Sequence, residues 1–113
     1  MLICEDKKTK KAMLSQPMGD KTDEEIKETR DKAIKVLEGN GYEVVNTLFT
    51  DEWYDNKEDK DIINRPLYFL AHSLIKMAQC DLVYFCKGWE EKRGCKVEHE
   101  CAKAYGIEII YEE

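Results

Sequence analysis

The segment "DLVYFCKGWEEKRGCKVEHECAKAYGIEII", Asp81 to Ile110, decides the fold. It opens on an uninterrupted apolar run, Leu82-Val83-Tyr84-Phe85-Cys86, the mark of a strand buried on both faces. Gly88 then permits a tight turn, and the residues from about Arg93 to Tyr105 carry a helical pattern closed by Gly106. Ile107–Tyr111, "IEIIY", reads as another strand. A strand, a helix and a strand within roughly thirty residues make a right-handed crossover between parallel neighbours.

Upstream, the same alternation repeats. "KAMLS" (Lys11–Ser15) is a short apolar strand ended by Gln16-Pro17-Met18-Gly19. Thr22-Asp23-Glu24-Glu25 has the form of a capping box, and Ile26, Ala33, Ile34 and Leu37 follow at helical spacing. The spacing predicts a helix over Asp23–Glu38, ended by Gly39 and Gly41, and a strand at Tyr42–Asn46. The polar stretch 47–65 carries Trp53 and Tyr54 among acidic residues and reads as a long loop. Pro66 opens a further helix whose stripe is Leu67, Leu70, Ala71, Leu74, Ile75 and Ala78. Residues 1–10 form a polar lead-in with one short candidate strand at Leu2-Ile3-Cys4.

The order β-α-β-loop-α-β-α-β predicts a single α/β domain over residues 1–113. The expected architecture is a flavodoxin- or Rossmann-like three-layer sandwich, with a parallel sheet of four or five strands in the order 2-1-3-4. In such sheets ligands bind beyond the carboxyl ends of the strands, where the order reverses. That point lies between the first and third strands, where Ser15–Gly19 meets Cys86–Trp89.

Composition narrows the function classes. The chain has 113 residues, 42% of them apolar and 37% charged, with a net charge of −6. That balance argues against non-specific binding to a nucleic-acid polymer, which depends on Lys and Arg neutralising phosphates. No apolar run reaches the roughly 18 residues of a membrane span. The start "MLICEDKKTKK" lacks a secretory pattern. Five cysteines without a C-x-x-C pair fit reduced thiols and a cytoplasmic setting. Cys95 and His99 lie one helical turn apart, but no denser ligand cluster accompanies them, so neither a metal nor a cofactor is expected.

On a helical wheel of the last helix, Gly94, Val97, Cys101, Ala104 and Tyr105 share the expected inward face, and Glu98 borders it. A carboxylate there must be paired, neutralised or used. It is either an ion-pair partner of a neighbour such as Arg93 or a lysine, or a site residue. Gly94 and Cys95 place backbone N–H groups at the helix start, suited to an anion or a sugar hydroxyl. Trp89 either stacks on a ligand or packs over the sheet end. Ser15 and Gln16 offer hydrogen bonds just past the first strand.

"LSQPMGDKTDEEI" together with "CDLVYFCKGWEEKRGCKVEHECAKAYGIEII" resembles the nucleoside 2-deoxyribosyltransferase-like superfamily, in particular a branch of small domains found in bacteria and phages. The resemblance spans roughly residues 11–112. It implies that Glu98, in the spacing Gly94-x-x-x-Glu98, is a nucleophile toward the anomeric carbon of a nucleoside or nucleotide. On that reading Gly94 and Ser15 hold the sugar or its 5′ substituent, Gln16, Trp53 and Trp89 are candidates for base contact, and Met18, Gly19, Gly88 and Arg93 are further candidate substrate contacts. The enzymatic relatives carry a second acid on the helix before the third strand, where this chain has Ser73 or Leu74. The expected function is therefore N-glycosidic bond cleavage or transfer. The alternative is a module that binds a nucleotide without turning it over. The expected partner is a small nucleoside or nucleotide, and the expected assembly is a homo-oligomer.

Overall fold

The computed structural model describes residues 9–19, 21–45 and 62–113. Strand β1 (Lys10–Ser15) leads to helix α1 (Asp23–Gly39) and strand β2 (Tyr42–Val44). Helix α2 (Arg65–Met77), strand β3 (Leu82–Phe85), a 3-10 turn (Trp89–Glu91), helix α3 (Arg93–Ala104) and strand β4 (Glu108–Tyr111) follow. The four strands form one sheet in the order β2-β1-β3-β4, and every pairing is parallel. This is the expected three-layer α/β sandwich with four strands. The candidate strand at Leu2–Cys4 lies outside the described residues, as does Trp53.

Local chemistry explains where the elements start. Thr22 accepts from the Glu25 backbone N–H and the Glu25 carboxylate accepts from the Thr22 N–H, so the capping box at α1 is complete. Asn64 caps α2 through the Leu67 N–H, with Pro66 in the first turn, where its missing N–H is harmless. Asp81 pins the start of β3 to β1: its carboxylate accepts from the Lys11 N–H at 2.8 Å, and its own N–H donates to the Lys11 carbonyl at 2.7 Å.

The central strands β1 and β3 are covered on both faces, hence their continuous apolar runs. Ala12 and Leu14 of β1, with Leu82, Tyr84 and Cys86, face α1 through Ala33 and Leu37. Met13, Val83 and Phe85 point the other way and meet Met77 of α2 and Ala102 of α3. The edge strands β2 and β4 are only half buried.

Two helix faces differ from the sequence expectation. In α3 the buried residues are Cys95, Glu98 and Ala102, whereas Val97 is 36% and Tyr105 83% exposed. The helix is turned so that the carboxylate lies in the middle of the buried face, not at its border. In α2, Ser73 and Met77 are buried with Leu70 and Leu74 beside them, while Leu67 and Ile75 are more than half exposed. Both differences have one cause. A wheel ranks side chains by hydropathy, and here polar groups that satisfy each other take the inward positions.

Candidate functional site

Ser15 is the last residue of β1 and lies opposite Phe85, the last residue of β3. The Cys86 N–H donates to the Ser15 carbonyl at 2.9 Å, extending the pairing one step beyond β3. These strand ends lie at the point where the strand order reverses. The loops above it touch. Gly88 has φ +89°, a left-handed conformation that favours glycine, and a Cβ there would lie 3.5 Å from the Pro17 ring. A Cβ on Gly19 would lie 3.1 Å from Lys92 Nζ, so the Lys92 side chain reaches to the β1 turn. The turns after β1 and β3 thus meet, as topology required.

Glu98 projects from the second turn of α3 into this junction. It is 7% exposed. The Ser15 hydroxyl donates to its Oε1 at 2.5 Å. The hydroxyl of Ser73, reaching over from α2, is a second hydrogen-bonding partner. Burial raises the Glu98 pKa above the ordinary carboxylate range, and the two serine hydroxyls pull it back in part by stabilising the anion. Among the described residues, the groups that offset the burial are two neutral hydroxyls. The sequence alternative of an ion pair with Arg93 does not describe this carboxyl; Arg93 is exposed.

Two thiols border the same spot. Cys95 hydrogen-bonds with Ser15, and its pKa is raised mainly by burial. Cys86 is pushed up to about 12, first by burial and then by the nearby carboxylate of Glu112. Both thiols therefore stay protonated near neutral pH and act as packing groups rather than nucleophiles. Arg30 of α1 approaches Cys86 and is itself half-buried, with its pKa lowered by burial.

Of the candidate contacts, Ser15 ends β1, Gly88 precedes the 3-10 turn after β3, Gly94 lies in the first turn of α3, and Met18 and Gly19 lie in the turn after β1, both exposed. Gln16 is half-buried and structural on one side: its Nε2 donates to the Ile26 carbonyl at 2.8 Å, tying the β1 turn to α1. Its Oε1 is buried without a hydrogen-bond partner among the described residues. Gly94 leaves open space where a side chain would stand, and Lys92 at the helix start makes no side-chain cap to the first N–H groups of α3.

Trp89 belongs to a neighbouring cluster. Its ring stacks on His99 with centroids 4.0 Å apart, and Phe85 meets the same imidazole edge-on at 5.0 Å. His99 Nε2 is 2.7 Å from the Tyr111 hydroxyl. Beside these rings lies a hollow of about 390 Å³, lined by Phe85, Gly88, Trp89 and Tyr111 among others, but not by Glu98. Cys95 and His99, one turn apart, are drawn to different neighbours, Ser15 and Tyr111, and do not converge on a common point.

Sequence reasoning did not find Lys92, Arg30 or the contact between Ser73 and Glu98. Lys92 had a signal, since it immediately precedes the helix start. Arg30 had none, because its approach to Cys86 depends on how α1 lies across the sheet.

No curated protein and no solved structure matches the chain. One family model does match, over residues 10–111, with the description "Domain of unknown function (DUF4406)". That span takes in the four strands and three helices described above, Glu98 among their residues, and the chain belongs to this family.

Proposed function

We propose that this protein cleaves or transfers the N-glycosidic bond of a nucleoside or nucleotide, with Glu98 as the nucleophile. The observation that carries the reading is the placement of the Glu98 carboxyl: buried on α3, anchored to Ser15 at the end of β1, at the reversal of strand order. The likeness to the nucleoside 2-deoxyribosyltransferase-like superfamily, through Gly94-x-x-x-Glu98, supports the same role. Glycosidic cleavage passes through an oxocarbenium-like state, which a carboxylate stabilises or traps as a glycosyl ester. A desolvated carboxylate held by hydroxyls suits that task, since its field is not screened by water. The N–H groups that begin α3 would serve the sugar or its 5′ substituent.

The test is release of free base from a panel of ribo- and deoxynucleosides and their 5′-monophosphates. The expected result is turnover by the native protein and none by Glu98→Ala. Absence of release across the panel would remove the enzymatic reading. Ser73 or Leu74, standing where the enzymatic relatives carry an acid, favours a second reading as a nucleotide-binding module. Thermal-shift titration separates the two, because stabilisation by nucleotides without base release supports binding alone.

A further inference from the structure

A carboxylate attacks an anomeric carbon only when a lone pair of one oxygen points at it, and a glutamate side chain left to itself samples several rotamers. The nucleophile therefore has to be aimed as well as buried.

The means of aiming it is built in layers. Met13 of β1, Met77 of α2 and Ala102 of α3 belong to one buried apolar cluster on this face of the sheet. Ser15 follows Met13 by two positions along β1, on the same face of the strand. Ser73 precedes Met77 by one helical turn, and Glu98 precedes Ala102 by one helical turn. The polar trio thus adjoins the apolar layer on all three elements, and the packing of that layer sets how its members stand to one another. All three are buried: Ser15 is 1%, Ser73 9% and Glu98 7% exposed. The Ser15 hydroxyl donates to Glu98 Oε1 at 2.5 Å, in the short range of hydroxyl bonds to an ionised carboxyl. The Ser73 hydroxyl bonds the same carboxyl from α2. A carboxylate accepts at about four lone-pair positions, so two donors hold it and still leave lone pairs for the reacting carbon.

We infer that Ser73 is a positioning residue for the glycosidic reaction: with Ser15 it forms a two-point mount that aims the Glu98 carboxylate at the anomeric carbon, and α2 is thereby part of the site. The inference rests on Glu98 being the nucleophile. Both serines donate, so the mount also favours the charged form that attacks. The described titratable groups around it are the thiols of Cys95 on α3 and Cys86 after β3, with Lys92 near Cys95 and Arg30 of α1 near Cys86. Burial raises both thiols and keeps them protonated near neutral pH. His72, next to Ser73 on α2, packs edge-on against Tyr68 at 4.7 Å.

The experiment uses the full chain with adenosine, 2′-deoxyadenosine, uridine, 2′-deoxyuridine and their 5′-monophosphates, and follows kcat and KM against pH for the native protein, Ser73→Ala and Ser73→Thr. Ser73→Ala is expected to lower kcat by about 10–100-fold, the scale of a small misplacement of a reacting group, with KM little changed. It should also move the acid limb of the kcat/KM profile to higher pH, because one donor to the anion is gone. Ser73→Thr keeps the hydroxyl and should restore most of both. A native kcat and an unmoved acid limb in Ser73→Ala would overturn the inference and leave the glycosidic reading intact. A loss that threonine does not restore would assign Ser73 to packing and overturn it as well. No release by the native protein would overturn the glycosidic reading, and the positioning role with it. A double-mutant cycle of Ser73→Ala with Glu98→Gln, measured by denaturant unfolding at pH 8, checks the mount without turnover. The two losses should be non-additive, and additive losses would count against the inference.

Discussion

Glu98 and His99 are consecutive residues of one helix, yet their surroundings are opposite in kind. Glu98 enters a junction of hydroxyls and thiols, where desolvation acts against its charge. His99 enters a nest of rings from β3, β4 and the 3-10 turn, with its imidazole stacked on Trp89 and linked to Tyr111. The second arrangement gains from both packing and a hydrogen bond. The first gives up stability unless the carboxyl is protonated or matched by something brought in. The contrast separates the part of α3 that holds the sheet end together from the part on which the proposed nucleophile role rests.

The largest effect is expected on the aromatic side. Phe85 is fully buried at the end of β3 and touches Trp89, His99 and Tyr111. Phe85→Ala should cost about 3–5 kcal/mol in denaturant unfolding. A loss no larger than that of a surface substitution would break the distinction between a stabilising cluster and a strained one.

On the polar side, Ser15→Ala should cost about 1–3 kcal/mol by leaving a buried acceptor without its donor. Its pH dependence sharpens the comparison. The hydroxyl favours the ionised carboxyl, so the penalty should be larger at alkaline pH than at acid pH. The sign for Glu98 itself follows from its raised pKa in the folded chain. The folded protein holds this proton more tightly than the unfolded chain, so stability from this group falls as pH rises from the ordinary glutamate range through the folded value. Glu98→Gln should therefore be more stable than the native chain at pH 8, with the advantage shrinking toward pH 4. Melting curves at the two pH values check it, and an advantage confined to acid would reverse the assignment.

The smallest effect is expected for Tyr111→Phe, which removes the hydroxyl near His99 Nε2 but keeps the ring. The loss should be about 0.5–1.5 kcal/mol, and it should vanish when His99 has already been replaced by Phe. Persistence of the loss in that background would mean that the hydroxyl acts elsewhere.

Much of this arrangement was legible in the amino-acid order alone. Apolar runs at Lys11–Ser15 and Leu82–Phe85 identified strands covered on both faces, because only central strands need no polar side. Thr22 with Glu25, and Pro66 after Asn64, marked helix starts through purely local hydrogen bonding and sterics. Alternation of the elements, with the handedness of crossovers, led to the order 2-1-3-4 and so to the meeting of the turns after β1 and β3. The helix faces were less legible. Val97 and Tyr105 are apolar but face out, and Ser73 and Glu98 are polar but face in.

Local sequence determined the strands, helices, caps and connection order, since those depend on neighbours within a turn or a hairpin's reach. Only the tertiary structure decided that Ser15, Ser73 and Glu98, from β1, α2 and α3, share one buried site. The reason is energetic. A carboxyl inside a protein is tolerated only where its partners also arrive, and those partners are separated along the chain by distances that no local pattern encodes.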